Sequence, residues 1–90
     1  MVILNTKQNG KSVVSNSIYI TYSVSYESEN ELREIQGFVF KDDKNIGFVS
    51  YDYIRSSTSF TLNPENGLDA TEKKQVFAAF VEDIDELNAD

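Results

Sequence analysis

Ile18-Tyr19-Ile20-Thr21-Tyr22-Ser23-Val24-Ser25-Tyr26 is the stretch on which the fold turns. Ile18, Ile20, Tyr22, Val24 and Tyr26 alternate with Tyr19, Thr21, Ser23 and Ser25. A period of two built from β-branched and aromatic residues predicts a strand with one buried face. Toward the N-terminus, Val2 to Lys7 and Lys11 to Val14 flank Asn9-Gly10, residue types suited to the two positive-φ positions of a type I′ turn, so an opening hairpin is expected there. Toward the C-terminus, Glu27 to Glu31 reads as a charged tip and Leu32 to Phe40 as the return strand of a second hairpin. In that return strand Leu32, Phe38 and Phe40 fall on one face and Ile35 and Val39 on the other. Gly37 between them suggests a bulge or a position buried on both faces.

Lys41 to Asn45 is a polar turn, followed by a strand over Ile46 to Tyr53 in which Phe48, Ser50 and Asp52 oppose Val49, Tyr51 and Tyr53. Ser57 to Leu62 is a further strand, with Thr58, Phe60 and Leu62 on one face and hydroxyl residues on the other. Asn63-Pro64-Glu65-Asn66-Gly67 ends the strand pattern. The period then changes: Val76, Phe77, Phe80, Val81, Ile84 and Leu87 follow helical spacing and cover a face about 140° wide. Asp69 and Glu72 fit a capping box; a cap at Thr71 would move the helix start by two residues. Residues 1–90 therefore read as a single domain of α+β class: an antiparallel β-meander of four to five strands with one C-terminal amphipathic helix packed on one face. Phe77, Phe80 and Ile84 are expected on the sheet face bearing Ile20, Tyr22 and Val24. Tyr22, Tyr26, Phe38, Phe48 and Phe60 are expected in the core, and Tyr19, Tyr51 and Tyr53 are out of phase with it.

Composition limits the chemistry. The 90 residues hold 15 acidic and 8 basic side chains, no His and no Cys, for a formal net charge of -7. Without Cys there is no disulfide, thiolate nucleophile, iron-sulfur ligation or Cys-containing zinc site. Without His, the usual Ser-His and Cys-His pairs cannot be built, and acid-base work would need a strongly shifted carboxylate, Lys or Tyr. The four Gly are isolated, so no phosphate-cradling loop is present. Neither Glu27 to Glu31 nor Asp42-Asp43-Lys44-Asn45 has the spacing of an EF-hand calcium loop. A non-enzymatic protein without metal or cofactor is expected. Met1 to Gly10 contains only three consecutive apolar residues after Met1, far short of a signal or membrane segment, so a soluble cytoplasmic protein is expected.

Charge is unevenly placed. Met1 to Tyr26 carry Lys7 and Lys11 and no acid, whereas Glu82 to Asp90 carry five acids and no base. Glu82, Asp83, Asp85 and Glu86 lie off the apolar stripe and read as a solvated anionic face. They crowd a helix C-terminus, where the macrodipole disfavours anions by ~0.3 to 1 kcal/mol each. Glu27, Glu29 and Glu31 form a second acidic group, and Tyr51 and Tyr53 supply aromatic contact surface. The aromatics alone would suit single-stranded nucleic acid, but the basic groove that such binding requires is missing. These nine residues therefore point to a basic protein surface as partner, one of the kind that binds nucleic acid.

In length, acidity, lack of Cys and His and a strand-rich architecture ending in an acidic helix, the chain resembles the small inhibitor proteins that phages make against host defences, the anti-CRISPR type among them. That resemblance implies an inhibitor, in several such cases a mimic of nucleic acid. The alternative is an assembly module that forms homo-oligomers through an edge strand or the helix face. Such contacts would have to bury neutral surface, as in Ser57 to Leu62.

Overall fold

The computed structural model describes residues 2–5, 9–28 and 31–88, with side chains placed from residue 9 onward within those ranges. It contains β1 (Val2–Asn5), β2 (Asn9–Val13), β3 (Ile18–Ser28), β4 (Glu31–Lys41), β5 (Lys44–Asp52), β6 (Ser57–Leu62) and α1 (Ala70–Asn88). The strands form one antiparallel sheet in the order β1-β2-β3-β4-β5-β6, a meander in which every neighbour in space is a neighbour in sequence. The α+β class, the meander and the terminal helix agree with the sequence expectation; with the opening hairpin included, the sheet has six strands.

Two turns differ from expectation. Asn9 and Gly10 are not a turn but the first residues of β2, where they pair with Ser23 and Tyr22. The ladder with β3 runs without interruption from Asn9 to Val13, and it occupies the backbone groups that a turn there would have removed. The positive-φ pair lies instead at Asp42 and Asp43, with φ of 52° and 64°. Between the paired residues Lys41 and Lys44 this makes the two-residue hairpin connection, and Asp is among the few residue types that tolerate the left-handed region.

The phase change in β4 comes from Arg33, not from Gly37. Ser25 pairs with Glu34 and Tyr26 with Leu32, so Arg33 is the extra residue. One residue added to a strand with a period of two brings Leu32 back to the side of Ile35 and Val39. Leu32 therefore packs against the core, contrary to the expected grouping with Phe38 and Phe40. Gly37 is in regular register between Tyr22 and Val49, and a Cβ there would lie 2.9 Å from ring carbons of Tyr22 and from a Val49 methyl. Its lack of a side chain lets the Tyr22 ring cross β4.

The helix covers the face formed by Ile18, Ile20, Tyr22, Val24, Ile35, Val39 and Val49, and buries Val76, Phe80 and Leu87 against it. Phe80 stacks on Tyr22 with ring centroids 6.4 Å apart and lies 6.5 Å from the Phe60 ring. The capping box forms at Asp69: its carboxylate accepts the Glu72 N–H at 2.8 Å, and the Glu72 carboxylate accepts the Asp69 N–H at 3.1 Å. Lys41 Nζ donates to the Gly67 carbonyl at 2.7 Å and lies 3.5 Å from Glu72, tying the helix start to the end of β4.

Three expected core residues lie elsewhere. Phe38 and Phe48 point to the uncovered face of the sheet, where they meet edge to face at 5.4 Å. Phe77 is at the rim of the helix, 48% exposed, with its ring 5.2 Å from Phe60. The helix is turned away from the centre of its apolar stripe, and the cause is Asp83.

Candidate functional site: the acidic end

Asp83 corrects the sequence reading most sharply. Expected on the solvated face, it is 4% exposed and lies under the helix. Its Oδ2 accepts hydrogen bonds from Ser12 Oγ at 2.6 Å and from the Tyr22 hydroxyl at 2.7 Å. Val76, Phe80, Asp83 and Leu87 recur at intervals of four, three and four, so the carboxylate holds a core position of the stripe. A buried carboxylate requires donors, and β2 and β3 supply two. Burial, then the hydrogen bond to Asp83 and its charge, pushes the Tyr22 phenol well above its ordinary range. Asp83 thus fixes how the helix sits on the sheet and is not available to a partner.

Tyr53 performs the matching task at the end of β5. Its N–H donates to the Arg33 carbonyl at 2.8 Å, using the bulge of β4, and its hydroxyl donates to the Ile84 carbonyl at 2.8 Å. Burial, followed by the neighbouring Tyr51 and the charge of Asp85, raises its phenol. Tyr51 meets it edge to face at 4.9 Å, and both rings pack against the core. These two residues were expected to face outward because Phe48 was assigned to the core. The opposite assignment holds: Val49 and Tyr51 point to the helix, while Phe48, Ser50 and Asp52 point away.

Through Tyr53, the last turns of the helix and the β3–β4 hairpin are held at one end of the molecule. Glu82, Asp85 and Glu86 are exposed on the helix, and Glu27 and Glu31 are exposed on the hairpin; Glu29 lies outside the described residues. Pairing of β4 with β5 adds Glu34 and Asp52, which face each other across the two strands at the same end. Only the strand register could have revealed that pair. Asp52 is partly engaged, since its carboxylate accepts the N–H groups of Ile54 at 2.9 Å and Arg55 at 3.1 Å. Among the described residues, Arg33 and Arg55 lie beside these acids. Arg33 lies 3.9 Å from Glu27 with both side chains mostly in solvent, a separation and exposure at which an ion pair contributes little. The last helical turn holds no base to offset the macrodipole.

Among the described residues, no group of three or more acids could hold a metal ion. No helix among them is long and apolar enough to cross a membrane. No known family matches the chain, and neither a curated protein nor a solved structure resembles it closely enough to register.

Proposed function

We propose that this chain is a small acidic binding protein, without catalytic activity of its own, that acts in the cytoplasm by occupying a basic, nucleic-acid-binding surface of a partner protein as an inhibitor of the anti-CRISPR kind. The observation that carries this reading is the convergence of Glu82, Asp85 and Glu86 with Glu27 and Glu31 at one end, anchored there by Tyr53. Placing these acids at the helix end runs against the macrodipole, which disfavours anions there by ~0.3 to 1 kcal/mol each. A predominantly acidic field at that end steers a basic partner and sets its orientation. Asp83, Tyr51 and Tyr53 leave the contact set and act behind it, holding the helix and hairpin in place.

The test replaces Glu82 and Glu86 by Gln and Asp85 by Asn together, leaving Asp83 untouched, and uses native and neutralised proteins as parallel baits in a lysate. A nucleic-acid-binding protein held by the native chain, lost from the neutralised one and displaced by added DNA is the expected outcome. Its retention should also weaken with salt, because exposed charges are screened beyond about 8 Å at physiological ionic strength. The same partner held equally by both baits overturns the reading.

A further inference from the structure

The dipeptide Asn-Gly occurs twice in the chain, at Asn9-Gly10 and at Asn66-Gly67, and the fold treats the two pairs differently. Gly10 is buried within the sheet, paired with Ile3 of β1 on one side and with Tyr22 of β3 on the other. Asn66-Gly67 lies in the connection between β6 and α1. There Gly67 is exposed, adopts a φ of 76° and would meet nothing within 4 Å if it carried a side chain. Asn66 Oδ1 accepts the Leu68 N–H at 2.8 Å, which folds the side-chain carbonyl over the intervening Gly67 peptide. Asn66 Nδ2 donates to the Asn63 carbonyl at 2.8 Å. Lys41 Nζ holds the Gly67 carbonyl at 2.7 Å, but among the described residues no acceptor holds the Gly67 N–H.

We infer that Asn66 is a self-modification site, at which the Gly67 nitrogen attacks Asn66 Cγ and closes a succinimide ring. Solvent base removes the Gly67 N–H proton as the N–Cγ bond forms. Negative charge develops on Oδ1, where the Leu68 N–H is already in place to meet it. The Cγ–Nδ2 bond then breaks, and Nδ2 leaves as ammonia with a proton taken from water. Water next adds to one of the two imide carbonyls. Addition at Cγ leaves aspartate at position 66, whereas addition at the Asn66 backbone carbon leaves isoaspartate, in which the chain continues through the side chain. No electrons are transferred, and water is the only co-reactant. Glycine suits the step because no side chain shields the attacking nitrogen. Asn9 has the same chemistry but not the access, since its peptide must first leave two strands. Asn63 cannot react in this way, because the Pro64 nitrogen carries no hydrogen. Either product adds a negative charge to a chain of net charge -7 and puts an acceptor where Asn66 donated to the Asn63 carbonyl. The isoaspartate form also lengthens the link between β6 and the Asp69 cap. The acidic end takes no part, so this reaction stands or falls independently of the proposed partner.

Trypsin places the two pairs in different peptides, 8–11 and 56–73, so mass spectrometry of the aged full chain reads each separately. In urea, where neither pair is held, they are expected to convert at similar rates. In the native chain, position 66 is expected to convert faster than position 9 by about tenfold or more, because β2 must open before Asn9 reacts and opening a strand of the core is unfavourable. The rate at position 66 is expected to rise with pH, and peptide 56–73 to give two products of equal mass, aspartate and isoaspartate. Gly67→Ala is expected to slow the reaction by about tenfold or more, since a methyl group shields the nitrogen and resists a φ of 76°. Conversion at position 9 in the same sample reports whether that variant stays folded. A native chain whose two pairs convert equally overturns the inference, and so does one unconverted at position 66 over the time in which the urea-unfolded chain reacts. Aspartate formed without isoaspartate also overturns it, because direct hydrolysis would then replace the ring.

Discussion

On the sheet face under the helix, Ile18, Ile20, Ile35, Val39 and Val49 have no exposed surface, whereas on the opposite face Val13 keeps 71% and Phe38 50% of theirs. The same strands supply both faces from alternate positions, and both are aromatic. Under the helix, Tyr22 and Phe60 lie against Phe80. On the open face, Tyr19 stacks on Phe40 at 5.1 Å, Phe38 meets Phe48 at 5.4 Å, and Lys11 Nζ sits 4.4 Å over the Tyr19 ring. The difference lies in what covers them. A helix removes one face from water, while the other relies on pairwise contacts among its own side chains, each worth about 0.5 to 1.5 kcal/mol beyond burial. An aromatic residue on a strand therefore does not by itself mark the core; its phase relative to the helix does.

Phe80→Ala against Phe38→Ala tests this contrast with the largest expected effect. Phe80 has no exposed surface, and its truncation is expected to cost ~3 to 5 kcal/mol through lost burial and a cavity. Phe38 is half in water, and its truncation is expected to cost about 1 to 2 kcal/mol, the lost Phe48 contact included. Urea denaturation midpoints of the two variants compare them directly. Equal costs would mean that the open face is covered in solution.

Next in size is Asp83→Ala. It leaves the Ser12 and Tyr22 hydroxyls buried without their acceptor, and an orphaned buried donor costs about 1 to 3 kcal/mol, so a loss of ~2 to 4 kcal/mol is expected. The exposed Glu82→Ala is expected to change stability by less than about 0.5 kcal/mol, as surface substitutions do. Thermal unfolding of both variants separates an acid that positions the helix from one that faces solvent.

The smallest effect is one of pH. The Tyr22 and Tyr53 phenols are held above their ordinary value of 10.0, so the folded chain keeps protons that the unfolded chain releases. Their contribution to stability is accordingly constant below about pH 10 and is lost as pH rises beyond it, since the native state then binds more protons than the unfolded one. Tyr22→Phe lowers stability at neutral pH by removing a donor to Asp83, and it makes the alkaline decline shallower. A decline of unchanged steepness in both Tyr22→Phe and Tyr53→Phe would show that other groups cause it.

The meander, the terminal helix and the Asp69 cap were legible because each rests on a local pattern: a period of two, a period near 3.6, and an acid followed three residues later by Glu72. The phase of β4 was not legible. The Arg33 bulge is stabilised by Tyr53, twenty residues away, and nothing near Arg33 in sequence announces it. The same holds for Asp83, which has the composition of the exposed helix face and the hydrogen bonds of the buried one. Hydroxyls on β2 and β3 turn the helix, and a helical projection weighs only apolar side chains. Of the nine acidic and aromatic residues singled out for a partner, the structure keeps Glu27, Glu31, Glu82, Asp85 and Glu86 at the surface and moves Asp83, Tyr51 and Tyr53 inward, while Glu29 lies outside the described residues.

The Ser12–Asp83 and Tyr22–Asp83 hydrogen bonds join residues 71 and 61 positions apart, while every strand pairs only with its sequence neighbour. This sets an order of assembly. Hairpins of adjacent strands close quickly because little chain entropy is lost, and the contacts of longest reach form last. During synthesis the sheet leaves the ribosome before the helix does, with Ile18, Ile20, Val39 and Val49 still facing water until α1 arrives. The carboxylate of Asp83 then acts as the latch of a late step. It accepts its two hydroxyls when the helix seats in the correct rotation, and a helix turned by its greasier flank would bury Phe77 but leave that carboxylate without donors.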